Sequence, residues 1–161
     1  MGATHLSDRS NWQKGARIVG DAGENDFIYH LRPLLPSSYV IRHKPEKLVI
    51  YSSNKGIKLD SKIVNTETGK CLFIEKKTGN NGGNAHERVY KFMSPSLKRK
   101  IIKEHNAVDQ PFFLVFSGKT FQGQKYQDEL ELLLEEENYI IMEQGFSNIA
   151  EAANKITEVL G

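Results

Sequence analysis

The sequence predicts an α/β domain in which helices cover both faces of a mixed β-sheet. Two observations predict this class. Strand signals joined by turn signals occupy the stretch from residue 39 to residue 77, where antiparallel pairing is expected. From there to the C-terminus, helical patterns alternate with short, continuously apolar stretches that are typical of buried strands. With 161 residues the chain has the length of one domain, and we expect a single domain over residues 1–161.

The first half begins with a helical pattern over residues 11–35. Apolar side chains recur there at helical spacing, and Pro33 and Pro36 end the pattern. Strand signals follow, with turn signals at Ser53–Gly56 and at Thr66–Gly69. The strand candidates are Tyr39–Arg42, Leu48–Tyr51, Leu59–Asn65 and Lys70–Lys77.

The second half is helical from Ala85 to about Glu104, and Pro95 indicates a break or a fresh helix start. The later elements alternate between apolar strand signals and amphipathic helices. In order they are the strand Pro111–Phe116, the acidic helix Tyr126–Glu137, the strand Tyr139–Met142 and the helix Ile149–Leu160. Four aromatic residues are expected in the core, namely Trp12, Phe112, Phe113 and Phe116.

Composition excludes several classes of protein. No apolar run approaches the roughly 20 residues that a membrane span needs, so we expect no membrane partner. The stretch Met1–Trp12 lacks the apolar segment of a signal peptide. The single cysteine, Cys71, excludes a disulfide framework and a multi-cysteine zinc site, and it is expected to be a small buried residue. These features predict a cytoplasmic protein.

Charge is distributed unevenly along the chain. The net charge is only +2, but residues 42–103 carry fifteen basic and five acidic groups, whereas residues 124–161 carry two basic and nine acidic groups. A basic segment of this kind favours an anionic partner such as nucleic acid. The alternative is that the charges cluster by chance and mix on the folded surface.

A group of three charged residues points to chemistry on the predicted hairpin. A turn centred on Glu67–Thr68 places Asp60 beside Glu75, and Lys77 shares the face of Glu75 because the two are two residues apart on a strand. Adjacent carboxylates repel unless a cation lies between them, and hard oxygen ligands suit Mg²⁺. The alternative is a solvated face with a cross-strand salt bridge. The apolar run Leu72–Ile74 argues against that alternative.

A second group follows this strand, in the stretch Gly82–Arg88. Its glycines let the backbone approach a partner closely. The Asn84 amide has the chemistry to pair with adenine in the major groove, Arg88 with a purine or a phosphate, and Ala85 with a thymine methyl group. The alternative is that Asn84 caps the next helix, with Glu87 at its third position as in a capping box.

These residues carry a family resemblance. Gly83–Arg88 resembles the recognition segment of the EcoRI/MunI group of type II restriction endonucleases, within the PD-(D/E)xK superfamily, and is most similar to the MunI branch. The resemblance runs in order from about Ser7 to Gly118. It includes Ser7–Trp12, Lys44–Lys47, Asn65–Lys70, Leu72–Phe73, Glu75, Lys77, Phe92, Pro95, Leu97, Pro111–Phe112 and Val115–Phe116.

The resemblance implies a fold and a metal site. The fold is the restriction-endonuclease core, a mixed five-stranded sheet flanked by helices on both faces. Asp60, Glu75 and the backbone carbonyl of Lys76 fall where the family binds Mg²⁺, and Lys77 falls on the catalytic lysine. Glu24 lies where many such nucleases supply a further carboxylate, with a surface helix residue as the alternative.

The resemblance also implies a reading of DNA bases. Asn84, Ala85 and Arg88, in the segment that starts at Gly83, fall on residues that read the inner AATT of the family's palindromes. Glu87 falls on the acidic residue that braces the recognition arginines across a dimer. A C₂ homodimer would present two copies of the segment, as reading a palindrome requires.

Other basic residues are candidates for DNA contacts. His86 is a candidate for a phosphate or base-edge contact, with an exposed histidine at a helix start as the alternative. Lys98 and Arg99 are candidates for backbone phosphate contacts, with a solvated helix face as the alternative.

Three departures from the family pattern matter. Leu59 stands where the family usually has a proline before the first aspartate, and the chain is shorter than its relatives before Asp60. Gly82 stands where the MunI branch has an arginine that reads the outer base pair. Because glycine has no side chain for that contact, we expect a relaxed or shorter site, with AATT itself as the leading candidate.

The expected function is therefore that of a type II site-specific deoxyribonuclease. It would cut double-stranded DNA with Mg²⁺, leave 5′ overhangs, act as a homodimer and be accompanied by a DNA methyltransferase for the same site. Two alternatives are a DNA-binding module of the same fold that does not cut and a structure-selective repair nuclease without sequence recognition.

Overall fold

A mixed β-sheet organises the chain in the computed structural model, which describes residues 26–50, 52–80, 85–135 and 137–161. The strands are β1 (Tyr39–His43), β2 (Leu48–Val49), β3 (Gly56–Ile57), β4 (Ser61–Asn65), β5 (Cys71–Thr78), β6 (Ala107–Ser117) and β7 (Tyr139–Ile141). Five of them form one sheet in the order β1-β4-β5-β6-β7, and β2 and β3 form a separate antiparallel pair. The predicted mixed five-stranded sheet is confirmed.

The helices follow the expected pattern in the second half of the chain. The α-helices are α1 (residues 26–31), α2 (Pro95–His105), α3 (Gln124–Leu134) and α4 (Ile149–Leu160), and short 3-10 helices cover Arg32–Leu34, Ala85–Met93, Lys119–Gln122 and Gln144–Phe146. The predicted bounds of α4 are confirmed. Residues 11–25 of the first predicted helix, with Trp12, lie outside the described part of the chain.

The sheet is antiparallel on one side of β5 and parallel on the other. β1 and β4 pair antiparallel, as do β4 and β5, whereas β5, β6 and β7 run parallel. The turn between β4 and β5 is tight because Gly69 adopts a φ of +75° and its amide donates to the Asn65 carbonyl at 2.8 Å. The parallel strands need longer crossovers, which α2 and α3 supply.

Two hydrophobic cores cover the two faces of the sheet. On one face, Leu72, Ile74 and Phe113 pack with α1 and α4. On the other face, β5 and β6 pack with α2, α3 and the 3-10 helix Ala85–Met93, with Phe73 and Phe116 at the centre. Phe112, Phe113, Phe116 and Cys71 are all buried as expected. Helices therefore cover both faces of the sheet, as the sequence predicted.

Some element boundaries differ from those expected. β6 begins at Ala107 rather than Pro111, because Ala107 already pairs with Cys71 of β5, ahead of a register shift that leads to the pair Phe73–Phe112. Residues 85–93 form a 3-10 helix rather than an α-helix. The fresh start at Pro95 is confirmed, since the Ser94 hydroxyl accepts from the Leu97 amide at 3.3 Å as an N-cap.

Within the described residues, every helix is too short or too polar to cross a membrane.

Phe113 offers a test of the core, because its side chain is fully buried at the centre of β6. We expect Phe113→Ala to lower the free energy of unfolding by about 3–5 kcal/mol through lost burial and a new cavity. Urea denaturation followed by circular dichroism measures this. Leu132→Ala on α3, where the side chain is 73% exposed, should change stability by less than about 0.5 kcal/mol. Equal effects of the two substitutions would contradict the assignment of the core.

Candidate active site

The hairpin of β4 and β5 brings Asp60 and Glu75 together. Ser61 lies opposite Ile74 in the observed register, and the Asp60 amide donates to the Ile74 carbonyl at 3.2 Å. The pairing thus continues one residue beyond β4 and sets Asp60 against Glu75. This is the register predicted from the turn, and it is confirmed.

The Asp60 carboxylate is fixed by backbone groups. Its Oδ2 accepts a hydrogen bond from the backbone amide of Lys76 at 2.6 Å. The Asp60 carbonyl in turn accepts from the Lys44 amide at 2.8 Å. Asp60 is therefore held on two sides, by the neighbouring strand and by the segment that leaves β1.

Glu75 is a buried acid in direct contact with another acid. Only 8% of the residue is exposed, and its carboxyl group shares a hydrogen bond with that of Asp60. Burial is the largest cause that raises the pKa of Glu75, and the hydrogen bond and charge of Asp60 add to it, so that the pKa reaches about 8. Lys77 and Lys91 oppose this shift.

Lys77 completes the predicted group. Its Nζ lies 3.7 Å from Glu75 Oε2, and its side chain is 26% exposed. Leu72, Phe73 and Ile74, just before Glu75, are all 1% exposed or less. The alternative of a solvated strand face therefore does not hold, because the charged residues end a strand that is buried on both sides.

Glu75 and Lys77 open onto a cleft of about 570 Å³. The cleft is also lined by Gly56, Ile57, Lys58, Glu87 and Lys91. Three of its lining residues are lysines, whose ammonium groups can donate to phosphate oxygens, and the two glutamates are Glu75 and Glu87.

Two of these lysines were missed as individual residues from the sequence. Lys58 and Lys91 both belong to the basic segment 42–103, but nothing in their local spacing separates them from its other basic residues. Lys58 directly follows β3, and it lines the cleft together with Gly56 and Ile57 of that strand. Gly56 allows β3 to pair closely with β2, since a Cβ there would lie 1.9 Å from the Leu48 carbonyl oxygen.

The donor set at this site fits Mg²⁺. It offers two hard carboxyl groups in contact, which a cation between them would stabilise, and Mg²⁺ in proteins commonly keeps several water ligands. Within the described residues, no group of three or more His, Cys, Asp or Glu is placed to hold a metal ion. Glu24, the further carboxylate expected from the sequence, lies outside the described residues.

One residue of the predicted recognition segment, Glu87, lines the cleft. Gly82, Gly83 and Asn84 lie outside the described residues. Ala85, His86, Glu87 and Arg88 form the first turn of the 3-10 helix Ala85–Met93, which Val89 and Phe92 anchor in the core at 0% exposure. Glu87 is exposed and lines the cleft. Glu87 in the first part of this helix therefore shares the cleft with Glu75 and Lys77.

Lys98 and Arg99 lie on α2 and do not line this cleft. Lys98 forms a partly buried ion pair with Glu137, and this pair favours a structural role for Lys98. Arg99 is exposed, and its Nη2 donates to Ser96 Oγ at 3.1 Å. A phosphate contact by Arg99 stays a prediction.

Comparison with known proteins gives one family and one related structure. A family model described as type II restriction enzyme MunI matches residues 1–148. Among solved structures, the chain is similar to MunI restriction endonuclease in complex with cognate DNA, with a TM-score of 0.64 and 23% identity. That match covers 77% of this chain and 83% of the other, and it supports the fold. The search among curated proteins finds no significant match.

The Glu75 pKa gives a test on the metal-free protein. Its folded value of about 8 lies above the ordinary value of 4.5, so the folded state binds the proton more tightly than the unfolded chain. The contribution of Glu75 to the free energy of unfolding is fully present below about pH 4.5 and is lost as the pH rises through about 8. We expect the melting temperature in chelator to fall over this range, and Glu75→Gln to flatten the fall.

Differential scanning fluorimetry across that pH range measures this effect. Glu151→Gln is the matched control, because Glu151 is an exposed glutamate paired with Lys155 on α4. The control should keep the wild-type slope. A Glu75→Gln variant with an unchanged slope would contradict the description of the carboxyl pair.

Proposed function

The chain belongs to the family of the type II restriction enzyme MunI and is a type II site-specific deoxyribonuclease, and from this we propose that it cuts double-stranded DNA at a palindrome with Mg²⁺. The observation that carries the proposal is the Asp60–Glu75 pair with Lys77 beside it, at the wall of a lysine-lined cleft. Restriction endonucleases of this family generally use divalent metal ions, and the choice of Mg²⁺ rests on the donor set.

The metal site is proposed to use three groups of this chain. Asp60 and Glu75 would supply carboxylate oxygens, and Lys76 would supply its backbone carbonyl. Bound there, Mg²⁺ supplies a water of lowered pKa and offsets charge on the scissile phosphate. Asp60 is ready for this role because the Lys76 amide already fixes its carboxylate.

Lys77 is proposed to orient the attacking water. Its ammonium group carries donors but no acceptor, so at Nζ it would donate hydrogen bonds to the water and to a phosphate oxygen. The contact with Glu75 fixes where Nζ lies before DNA binds. Lys58 and Lys91 would contact neighbouring phosphates from other walls of the cleft.

Base recognition is proposed to come from the segment that begins at Gly83. Asn84, Ala85 and Arg88 would read AATT, and Glu87 would brace the recognition arginines between protomers. The solved MunI structure contains cognate DNA, which supports a double-stranded partner for this related chain. A homodimer would place two such segments on one palindrome, each protomer cutting one strand to leave 5′ overhangs, and a methyltransferase would protect the same site.

The role of Lys77 predicts a separation of cleavage from binding. We expect Lys77→Ala to lower the single-turnover cleavage rate by roughly 10²–10⁴-fold, because the oriented donor is lost, while binding to an AATT duplex in Ca²⁺ is retained. Quenched-flow cleavage and fluorescence anisotropy measure the two properties. Lys125→Ala removes an exposed lysine of α3 and should leave both unchanged. Loss of folding or of binding in Lys77→Ala would contradict the role.

The specificity predicts discrete fragment ends. We expect a plasmid of known sequence to be cut next to AATT in Mg²⁺ and to stay intact in chelator. Sequencing of the fragment ends reads the site and the overhang together. A defined base pair outside AATT would overturn the short site inferred from Gly82. Scattered ends would indicate a nuclease without sequence recognition, and retention of AATT duplex without cutting would indicate a binding module.

A further inference from the structure

We infer that Phe146 is a positioning residue that acts on the metal site from the opposite face of the sheet, through Lys76. The inference rests on the proposed function, because Lys76 lies between Glu75 and Lys77 in the chain. The Lys76 side chain does not line the cleft onto which Glu75 and Lys77 open, which is the proposed DNA cleft. It lines a second cavity of about 530 Å³, together with Phe146.

An aromatic stack reaches Lys76 from α1. The Lys76 Nζ lies 5.7 Å from the centroid of the Phe146 ring, within the range of a cation–π contact. The His30 ring stacks on the Phe146 ring with centroids 4.7 Å apart and planes 30° apart. Phe146 therefore links helix α1 to the strand that carries the candidate active site.

The backbone holds Phe146 in an unusual conformation. Phe146 has a φ of +59°, which is rare for a residue with a large side chain, and Gly145 before it has a φ of +71°. The turn is fixed to β7, since the Asn148 side chain donates to the Ile141 carbonyl at 2.8 Å and accepts from the Glu143 amide at 3.0 Å. The two hydrogen bonds of Asn148 therefore fix the turn that holds the Phe146 ring next to Lys76.

The effect on the site passes through the backbone of Lys76. Its amide donates to Asp60 Oδ2 at 2.6 Å, and its carbonyl is the third proposed metal ligand. A movement of Lys76 would displace both groups. Phe146 does not line the proposed DNA cleft. Substitutions of Phe146 should therefore change the affinity for metal while the affinity for DNA stays constant.

The test compares three substitutions. Phe146→Leu removes the aromatic ring, and Phe146→Tyr keeps it. Phe27→Leu is the control, because it removes a ring from a residue of α1 in the same hydrophobic core. Isothermal titration of each protein with Mn²⁺ in the absence of DNA measures metal affinity. We expect Phe146→Leu to weaken binding by about threefold to tenfold, and the other two variants to stay within about twofold of wild type.

A second readout needs neither metal nor cleavage. The amide proton of Lys76, hydrogen-bonded to Asp60, should shift in nuclear magnetic resonance spectra of Phe146→Leu and stay in place in Phe146→Tyr and Phe27→Leu. An unchanged chemical shift of the Lys76 amide in Phe146→Leu overturns the inference. So does a Phe146→Tyr variant whose Mn²⁺ affinity falls as far as that of Phe146→Leu. Failure of the proposed function is distinct, because the wild-type protein would then neither bind Mn²⁺ nor cut an AATT plasmid.

Discussion

Two carboxyl groups held in hydrogen-bonding contact at the end of a buried strand are the constraint on which the rest of this structure depends. Neither burial nor the approach of a second acid is favourable for an ionised carboxylate, so Asp60 and Glu75 must be held by the surrounding fold. The hairpin register supplies the pairing, and the Lys76 amide supplies the hydrogen bond that fixes Asp60. What the arrangement costs in stability is offset by the two cores on either side of β5.

The position of β5 explains how one strand can carry such a group. It is the central strand of the sheet, antiparallel to β4 and parallel to β6, so neighbours fix it along both edges. Its first residues are fully buried, and its last residues are more exposed. The charged groups lie at this transition, where they combine a rigid backbone with access to a cleft.

The sequence could predict the local geometry of the site because that geometry depends on one turn. The glycine and polar residues of Thr66–Gly69 determine the hairpin register, and the register places Asp60 against Glu75. Contacts between distant elements were not predictable in this way. The ion pair of Lys98 with Glu137 joins residues 39 positions apart, and Lys58 shares the cleft with Lys91 although the two are far apart in the chain. No periodicity in the sequence predicts these contacts between distant residues.

The alternation of side chains along β5 has an evolutionary consequence. Glu75 and Lys77 line one cavity, and Lys76 between them lines another across the sheet. Under the role proposed for Phe146, mutations around the second cavity would adjust the proposed reactive groups without altering the cleft. Selection on the rate of turnover would then proceed separately from selection on sequence preference, because the two would act on side chains that face opposite sides of one strand.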